Sequence, residues 1–426
     1  MMLVRWLLGV AVLLVLSLAV APQVLAERPA DSLKKVTPVG HLDIDGGGQV
    51  VVQNGYAYIG HMLSGTAGGT SIVDVSDPRN PKLVSRIYAP AGIHSHKVRV
   101  DDELQIMMVN YEQQGATTSK TGLAIFDIAD RRNPQLITIW SEGGKGVHRY
   151  TYDFQRKYVY LSADVQNYNG AIFVVLDVHD PRNPFVAARW WLPGQGPGEN
   201  FDYDPWWTGI PADFRVHHPL IGPDRNFYMG YWNGGYVVAR AFWDASGSTI
   251  TGFQKEPLAH VNWAMTIKSP GHTFLPVFHK VADWDVAVMV DEDIDRVVDP
   301  KYQPGMWVAW VDRIREDRYV ITPISHYRVP QPDYITNAPE GPNFGTHQPH
   351  EYVAEDNLVY VAWWGGGLRI LDISDPFQPV EVGHFLPTPS AGNKFIATND
   401  VFVHEGLIYV LDRFNGLDIV KYNKAK

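Results

Sequence analysis

One phrase returns four times along this chain: SIVDVSDPRNPKLVSRI (71–87), LAIFDIADRRNPQLITIW (123–140), FVVLDVHDPRNPFVAARWW (173–191) and LRILDISDPFQPVEVGHFL (368–386). Each opens with a β-branched run that ends on an aspartate (Asp74, Asp127, Asp177, Asp372). It then turns through Asp-Pro-x-x-Pro or a close variant and resumes as an apolar strand. β-branched residues favour extended backbone. The second aspartate of each turn (Asp77, Asp130, Asp180, Asp375) is placed to accept from turn amides, and proline fixes φ at the corner without extending the ladder. Such self-similarity constrains the fold more than composition does, because a unit that cannot bury its own face must stack on its copies.

Another strand pair precedes each phrase, as in HKVRVDDELQIMMV (96–109), HEYVAEDNLVYVAWW (350–364) and DVFVHEGLIYVLD (400–412). One unit is therefore four antiparallel strands, and its period is 53 residues from Asp74 to Asp127 and 50 from Asp127 to Asp177. FYMGYWNGGYVVARAFWDASGSTITGF (227–253) reads as a degenerate unit. MWVAWVDRIREDRYVITPI (306–324) closes another, swollen by the acidic run VDEDIDRVVDP (290–300). With LIYVLDRFNGLDIVKYN (407–423) the count reaches seven. That last unit stops after its third strand, while TPVGHLDI (37–44) resembles the fourth strand VEVGHFLP (380–387). The expected fold is all-β: a seven-bladed β-propeller of four-stranded antiparallel blades, one domain over 27–426, the last blade closed by the N-terminal strand. An open solenoid explains neither the missing fourth strand nor the leftover first one.

The segments IVDVSDP, IFDIADR, VLDVHDP and ILDISDP resemble the LVIVD repeat of bacterial exported propellers. The resemblance covers most of 37–423, strongly in units one, two, three and six and weakly in four and five. It implies the fold and says little about activity.

MMLVRWLLGVAVLLVLSLAVAPQVLA carries one charge, Arg5, an apolar run from Leu7 to Ala21, and small residues at Val24 and Ala26. This is the pattern of a secretory signal peptide over residues 1–26, cleaved after Ala26. An uncleaved anchor is the alternative, since residues 1–21 nearly suffice to span a bilayer. The expected location is the periplasm or outside the cell, with no stable membrane span after cleavage. Cysteine is absent, which removes disulfides, thiol chemistry and thiolate metal ligands. The net charge is −10, or −11 once Arg5 is removed, and no basic run is longer than the pairs Lys34-Lys35 and Arg131-Arg132. Nucleic acid is therefore not an expected partner.

Histidines recur at one point of the repeat. Registered on the second-strand residues Tyr58, Ile106, Tyr160, Tyr228, Tyr360 and Tyr409, the column nine or ten residues earlier holds Gln49, His96, Tyr150, His218, His350 and Asp400. Asn262 takes that place in the fifth unit. Two or three residues before it stand His94, His148, His260, His347 and Thr398, with His217 between the columns. Eight of 16 histidines (94, 96, 148, 217, 218, 260, 347, 350) are thus expected at one channel mouth. Repeat symmetry brings inner-strand residues to a common axis, and neutral imidazole is a common metal ligand. Four would suit Fe or Cu, and three plus water would also suit Zn. Glu351 and Asp400 are placed to hold the outer ring nitrogens. The competing reading is a polar channel mouth, where these side chains bond one another, carbonyls and water.

The long linkers 192–214 and 329–345 border the same mouth and carry Trp206, Trp207, Tyr334 and Phe344. With Tyr150 these are candidate contacts to an apolar or aromatic ligand, or else they pack the loops onto the propeller. His347-x-x-His350-Glu351 lacks the order and helical setting of a zincin motif. The acidic run at Asp291–Asp295 lacks the EF-hand glycine and terminal glutamate, and reads as a solvated loop. No GxSxG elbow, GxGxxG or Walker loop occurs.

Two readings follow. One is an exported, metal-dependent oxidoreductase acting on a small apolar or aromatic organic substrate, the metal activating O2 or water. In architecture and histidine placement it is similar to carotenoid-cleaving oxygenases and selenium-binding-protein-like methanethiol oxidases, an analogy of fold. The other is a non-catalytic propeller that binds a protein or glycan partner on its loop face, with a structural metal or none. An open coordination position would distinguish them.

Overall fold

The computed structural model describes residues 33–65, 68–199, 214–263, 270–292, 304–330, 345–389 and 395–424. The leader segment and Trp206, Trp207, Tyr334 and Phe344 lie outside them.

The repeated phrase folds as the sequence dictates. Gly69–Asp74, Gly122–Asp127, Ala171–Asp177 and Gly367–Asp372 each pair antiparallel with the strand after the turn. Both aspartates of each turn cap amides two residues on. Asp74 accepts from Ser76 at 2.9 Å and Asp77 from Arg79 at 3.2 Å. Asp127 and Asp130 repeat this on Ala129 and Arg132, and Asp372 and Asp375 on Ser374 and Phe377. The turn is thus fixed by side-chain oxygens that relieve otherwise unpaired N–H groups.

Two further strands precede each pair. Gly47–Gln53 and Tyr56–Ser64 lead into the first phrase, Ile106–Gln113 into the second, and Gly146–Asp153 and Tyr158–Asp164 into the third. Phe214–Ile221, Phe227–Trp232, Tyr236–Ala239 and Ala259–Val261 form the next sheet, which is interrupted by the hairpin Ala241–Trp243/Ile250–Phe253. Gly271–Pro276, Val286–Asp291, Met306–Arg315 and Arg318–Tyr327 follow. Thr346–Pro349 and Leu358–Trp363 open the sheet of the fourth phrase. In the last sheet, Thr398–His404, Leu407–Asp412 and Gly416–Tyr422 take Val36–Leu42 as their outer strand. The N-terminal strand therefore completes the C-terminal sheet, as its sequence likeness to residues 380–387 implies. Among the described residues there is no α-helix, and no helix is long and apolar enough to cross a membrane.

Apolar cores lie between neighbouring sheets. Ile106, Met108 and Ile125 pack with Val159, Leu161 and Val174, all essentially buried, and each such side chain contributes about 1.5–3 kcal/mol. The first strands converge with polar side chains. Lys97 Nζ reaches Glu351 Oε1 at 2.6 Å, Arg149 Nη1 reaches Gln348 Oε1 at 2.6 Å, and Asp400 accepts from the Val50 amide at 2.9 Å.

These first strands share an irregularity. Their pairing slips between Gly47 and Val50, Val147 and Tyr150, Phe214 and His218, Gly271 and Thr273, Thr346 and Pro349, and Thr398 and Asp400. Bulges re-aim side chains, and these hold His148, His217, His272 and His347. Gly60 and Gly230 make room for the neighbouring chain. A Cβ on Gly60 would stand 2.3 Å from the His96 carbonyl, and one on Gly230 2.1 Å from that of His272.

Candidate metal centre

Six imidazoles lie in one arc, four of them placed by these bulges. Ring centroids run His94–His96 at 4.3 Å, His96–His148 at 5.0 Å, His148–His217 at 4.7 Å, His217–His272 at 4.2 Å and His272–His347 at 4.6 Å. Burial lowers the pKa of every one, and neighbouring guanidiniums push most of them the same way. All six are neutral at pH 7, the form in which imidazole binds metals.

Fixed acceptors define which ring nitrogens carry hydrogen. His148 Nδ1 lies 2.8 Å from Glu112 Oε2. Burial works to raise the Glu112 pKa, but His148, His94 and Arg215 outweigh it and hold the carboxyl at about 2. An ionised carboxylate only accepts, so His148 Nδ1 is the N–H. His217 Nδ1 donates to the His272 carbonyl at 3.0 Å, and His347 Nδ1 donates to the Asn399 carbonyl. His272 Nδ1 meets Thr273 Oγ1 at 2.8 Å. The Nε2 atoms of His148, His217 and His347 are consequently lone pairs, and the Nε2 atoms of His94 and His272 have no hydrogen-bond partner among the described residues. An outer nitrogen held by a carboxylate or carbonyl with the inner one bare is the usual arrangement of a metal-binding histidine.

His148 Nε2 and His217 Nε2 lie 2.9 Å apart. Two lone pairs at that distance repel unless a cation sits between them. Two nitrogens bound to one d-block ion at about 2.0–2.1 Å stand about 3.0–3.4 Å apart, so the pair fits one with a small opening. Glu292 borders the same place, its oxygens 3.9 Å from His272 Nε2 and 3.8 Å from His347 Nε2. His217, His272 and Glu292 form one grouping of metal-ligand geometry, and His94, His96 and Glu112 form another. In the second, Asn110 turns its amide nitrogen to His96 Nδ1 at 3.3 Å because its oxygen is taken by the Lys97 amide at 2.7 Å. Neutral His96 therefore carries its hydrogen on Nε2, which makes it a poor ligand in this pose.

Two of the imidazoles are backed alike. His217 stacks on Trp232 at 4.8 Å, and Arg215 lies over the same indole at 4.5 Å. His347 packs on Trp364 at 4.2 Å, with Arg413 over that ring at 4.3 Å. Stacking fixes the ring planes, and the cations oppose protonation.

The LVIVD repeat profile matches residues 47–88, 353–386 and 397–421. This is an LVIVD-repeat β-propeller. The second and third units, whose phrases resemble the repeat by eye, fall outside the matched segments. No curated protein sequence gives a significant match. Among solved structures the propeller is similar to a periplasmic gluconolactonase of Pseudomonas aeruginosa, at 12% identity and a TM-score of 0.50, over 85% of this chain and 94% of that one. It is also similar to a putative 6-phosphogluconolactonase of Bacteroides uniformis, at 10% identity and a TM-score of 0.53, over 82% and 88%. Raptor of Chaetomium thermophilum aligns at 10% identity and a TM-score of 0.52, over 92% of this chain but 30% of its own length. At these identities the likeness is one of fold.

The LVIVD-repeat propeller distributes the sequence-predicted residues unevenly. His94, His96, His148, His217 and His347 stand together in the arc. His218 lies deeper and meets Glu351 Oε1 at 3.2 Å, and Glu351 is itself clamped by Lys97 and Arg99. His350 packs on Phe402 and accepts weakly from the Val403 amide. His260 sits on the outer strand Ala259–Val261 and donates to the Gly234 carbonyl at 2.6 Å, beside a surface cleft of about 520 Å³. His272 takes the inner place in that part of the repeat instead. Glu351 and Asp400 hold no arc histidine, and Glu112 fills that role for His148. Tyr150 is buried and donates to the Met108 carbonyl at 2.6 Å. Asp291 and Glu292, read as solvated loop, are buried, and Asp291 accepts from Tyr236 and Trp307 at 2.6 Å.

Proposed function

We propose that this protein is an exported, seven-bladed propeller that works as a metal-dependent oxidoreductase on a small organic substrate. His148, His217 and His272 would hold the ion, with Glu292 at its edge and His347 next in the arc. The bare, opposed Nε2 atoms of His148 and His217 carry this reading. Imidazole nitrogen with a single carboxylate suits Fe or Cu, and Zn as well. When bound, such an ion supplies Lewis-acid activation of water or, for Fe and Cu, of O2. The protein's own part is legible. Glu112, the His272 carbonyl and the Asn399 carbonyl fix the outer nitrogens, Trp232 and Trp364 fix ring planes, and burial keeps the imidazoles neutral.

The test is metal content of the mature protein purified without a histidine tag, beside a His148→Ala/His217→Ala variant. About one equivalent of Fe, Cu or Zn, lost in a folded variant, is the expected result. No metal in the wild type, even after reconstitution with each ion, would sink the proposal. The arc would then be a polar channel lining, and a binding platform would be the better reading.

A further inference from the structure

Among the described residues, Arg149, Arg215 and Arg413 act on the histidines of the arc, and Glu112 and Glu292 are the carboxylates within contact distance of them. Arg149 is 2% exposed. Its Nη1 donates to Gln348 Oε1 at 2.6 Å and its Nη2 to His347 Nε2 at a long 3.3 Å, while its Nε has no partner among the described residues. Arg413 donates from Nε to Asn399 Oδ1 at 2.7 Å and lies over Trp364. Neither guanidinium has an ion-pair contact with a carboxylate among the described residues. A buried guanidinium normally faces an anion, because an unpaired charge out of water is costly.

Glu292 is the carboxylate that acts most strongly on both, but its oxygens face His272 and His347. Once Glu292 serves a cation there, the acidic groups left to the two guanidiniums, Asp400 and Glu351 for Arg149 and Asp412 for Arg413, act on them without an ion-pair contact among the described residues. A planar guanidinium fork matches a carboxylate with two parallel hydrogen bonds. We propose that the site takes a small carboxylate-bearing organic molecule, its carboxylate held between Arg149 and Arg413 beside His347 and its body facing His148, His217 and His272. This deepens the reading above: it rests on that reading for the metal, and on the arginines alone for the anion.

The experiment titrates formate, acetate and benzoate, with neutral benzyl alcohol as the control, into the protein as purified and after dialysis against a chelator. Calorimetry and thermal shift give the readout. At least one carboxylate should bind in both preparations and benzyl alcohol should not, and Arg413→Gln should weaken that binding about ten- to a hundred-fold. Arg149→Gln should do the same. Should that buried change unfold the protein, Arg413, which is less completely buried, decides alone. Failure of all three carboxylates to bind, equal binding of benzyl alcohol, or unchanged affinity in Arg413→Gln would each overturn the proposal. Because the stripped protein is titrated too, absence of a metal would not be confused with absence of the anion site.

Discussion

The Nε2 atoms of His148 and His217 face each other at 2.9 Å, and each ring already spends its only hydrogen on an outer acceptor: Glu112 for His148, the His272 carbonyl for His217. A proton could bridge them, but burial and the nearby Arg215 and Arg149 oppose a proton on His148. A metal ion, as proposed above, would instead take several lone pairs at once, setting its coordination energy against the same opposition.

Glu112 should therefore tune the metal without ligating it. Glu112→Gln keeps the shape but replaces the ionised acceptor with a neutral amide. Metal affinity, measured by competition with a chromophoric chelator, should fall about 10–100-fold with little change in melting temperature. An unchanged affinity would remove Glu112 from the site.

His272 and His260 make a sharp pair. His272→Ala should abolish stoichiometric metal binding, whereas His260→Ala, on an outer strand, should leave it intact. Metal analysis of the two purified variants reads this directly. Loss in both would point to unfolding, which circular dichroism would reveal.

Gly230→Ala tests the approach of neighbouring sheets. The new Cβ would meet the His272 carbonyl oxygen at 2.1 Å, so the backbone carrying that histidine must retreat. Overpacking of this kind costs about 1–3 kcal/mol. Denaturant unfolding should show that loss together with weaker metal binding, since His217 uses the displaced carbonyl.

The closing strand should respond to alkali. His41 lies 3.0 Å from Asp418 and from Asp43, and chiefly the Asp418 hydrogen bond raises its pKa to about 9. A raised pKa means that the stabilisation is complete below about 6.5 and disappears as pH climbs through about 9. The ring is 42% exposed, so solvent screening limits the effect to about 1 kcal/mol or less. Thermal melts of wild type and His41→Gln between pH 7 and 10 should converge toward the alkaline end. Parallel curves would refute the linkage.

The fold was legible where the repeat is strong, because the aspartate turns and the β-branched runs act locally. The likeness of residues 37–44 to 380–387 even located the closing strand. The histidine column failed where its anchor was missing. Val286–Asp291 holds no tyrosine, so registering on tyrosine slid the fifth unit back onto His260 and Asn262 and passed over Gly271-His272.

Glu112 and Glu292 were hidden for another reason. Both stand at the far ends of second strands, and Glu112 reaches His148 only because its backbone pairs with Gly146 and His94 of adjoining inner strands. Contacts between sheets leave no periodic trace within one strand. Glu292 was further disguised by the acidic run that follows it. The buried start of that run is set by Asp291, held by Tyr236 and Trp307 from two other strands.

Pairing of Val36–Leu42 with Gly416–Tyr422 has a consequence for how the molecule is made. A ribosome releases the first of these strands long before the second. The outermost ladder must wait, unpartnered, until residues 416–422 have emerged. Cutting the chain just before Gly416 would loosen Val36–Leu42 as well, so the two strands survive or unravel together.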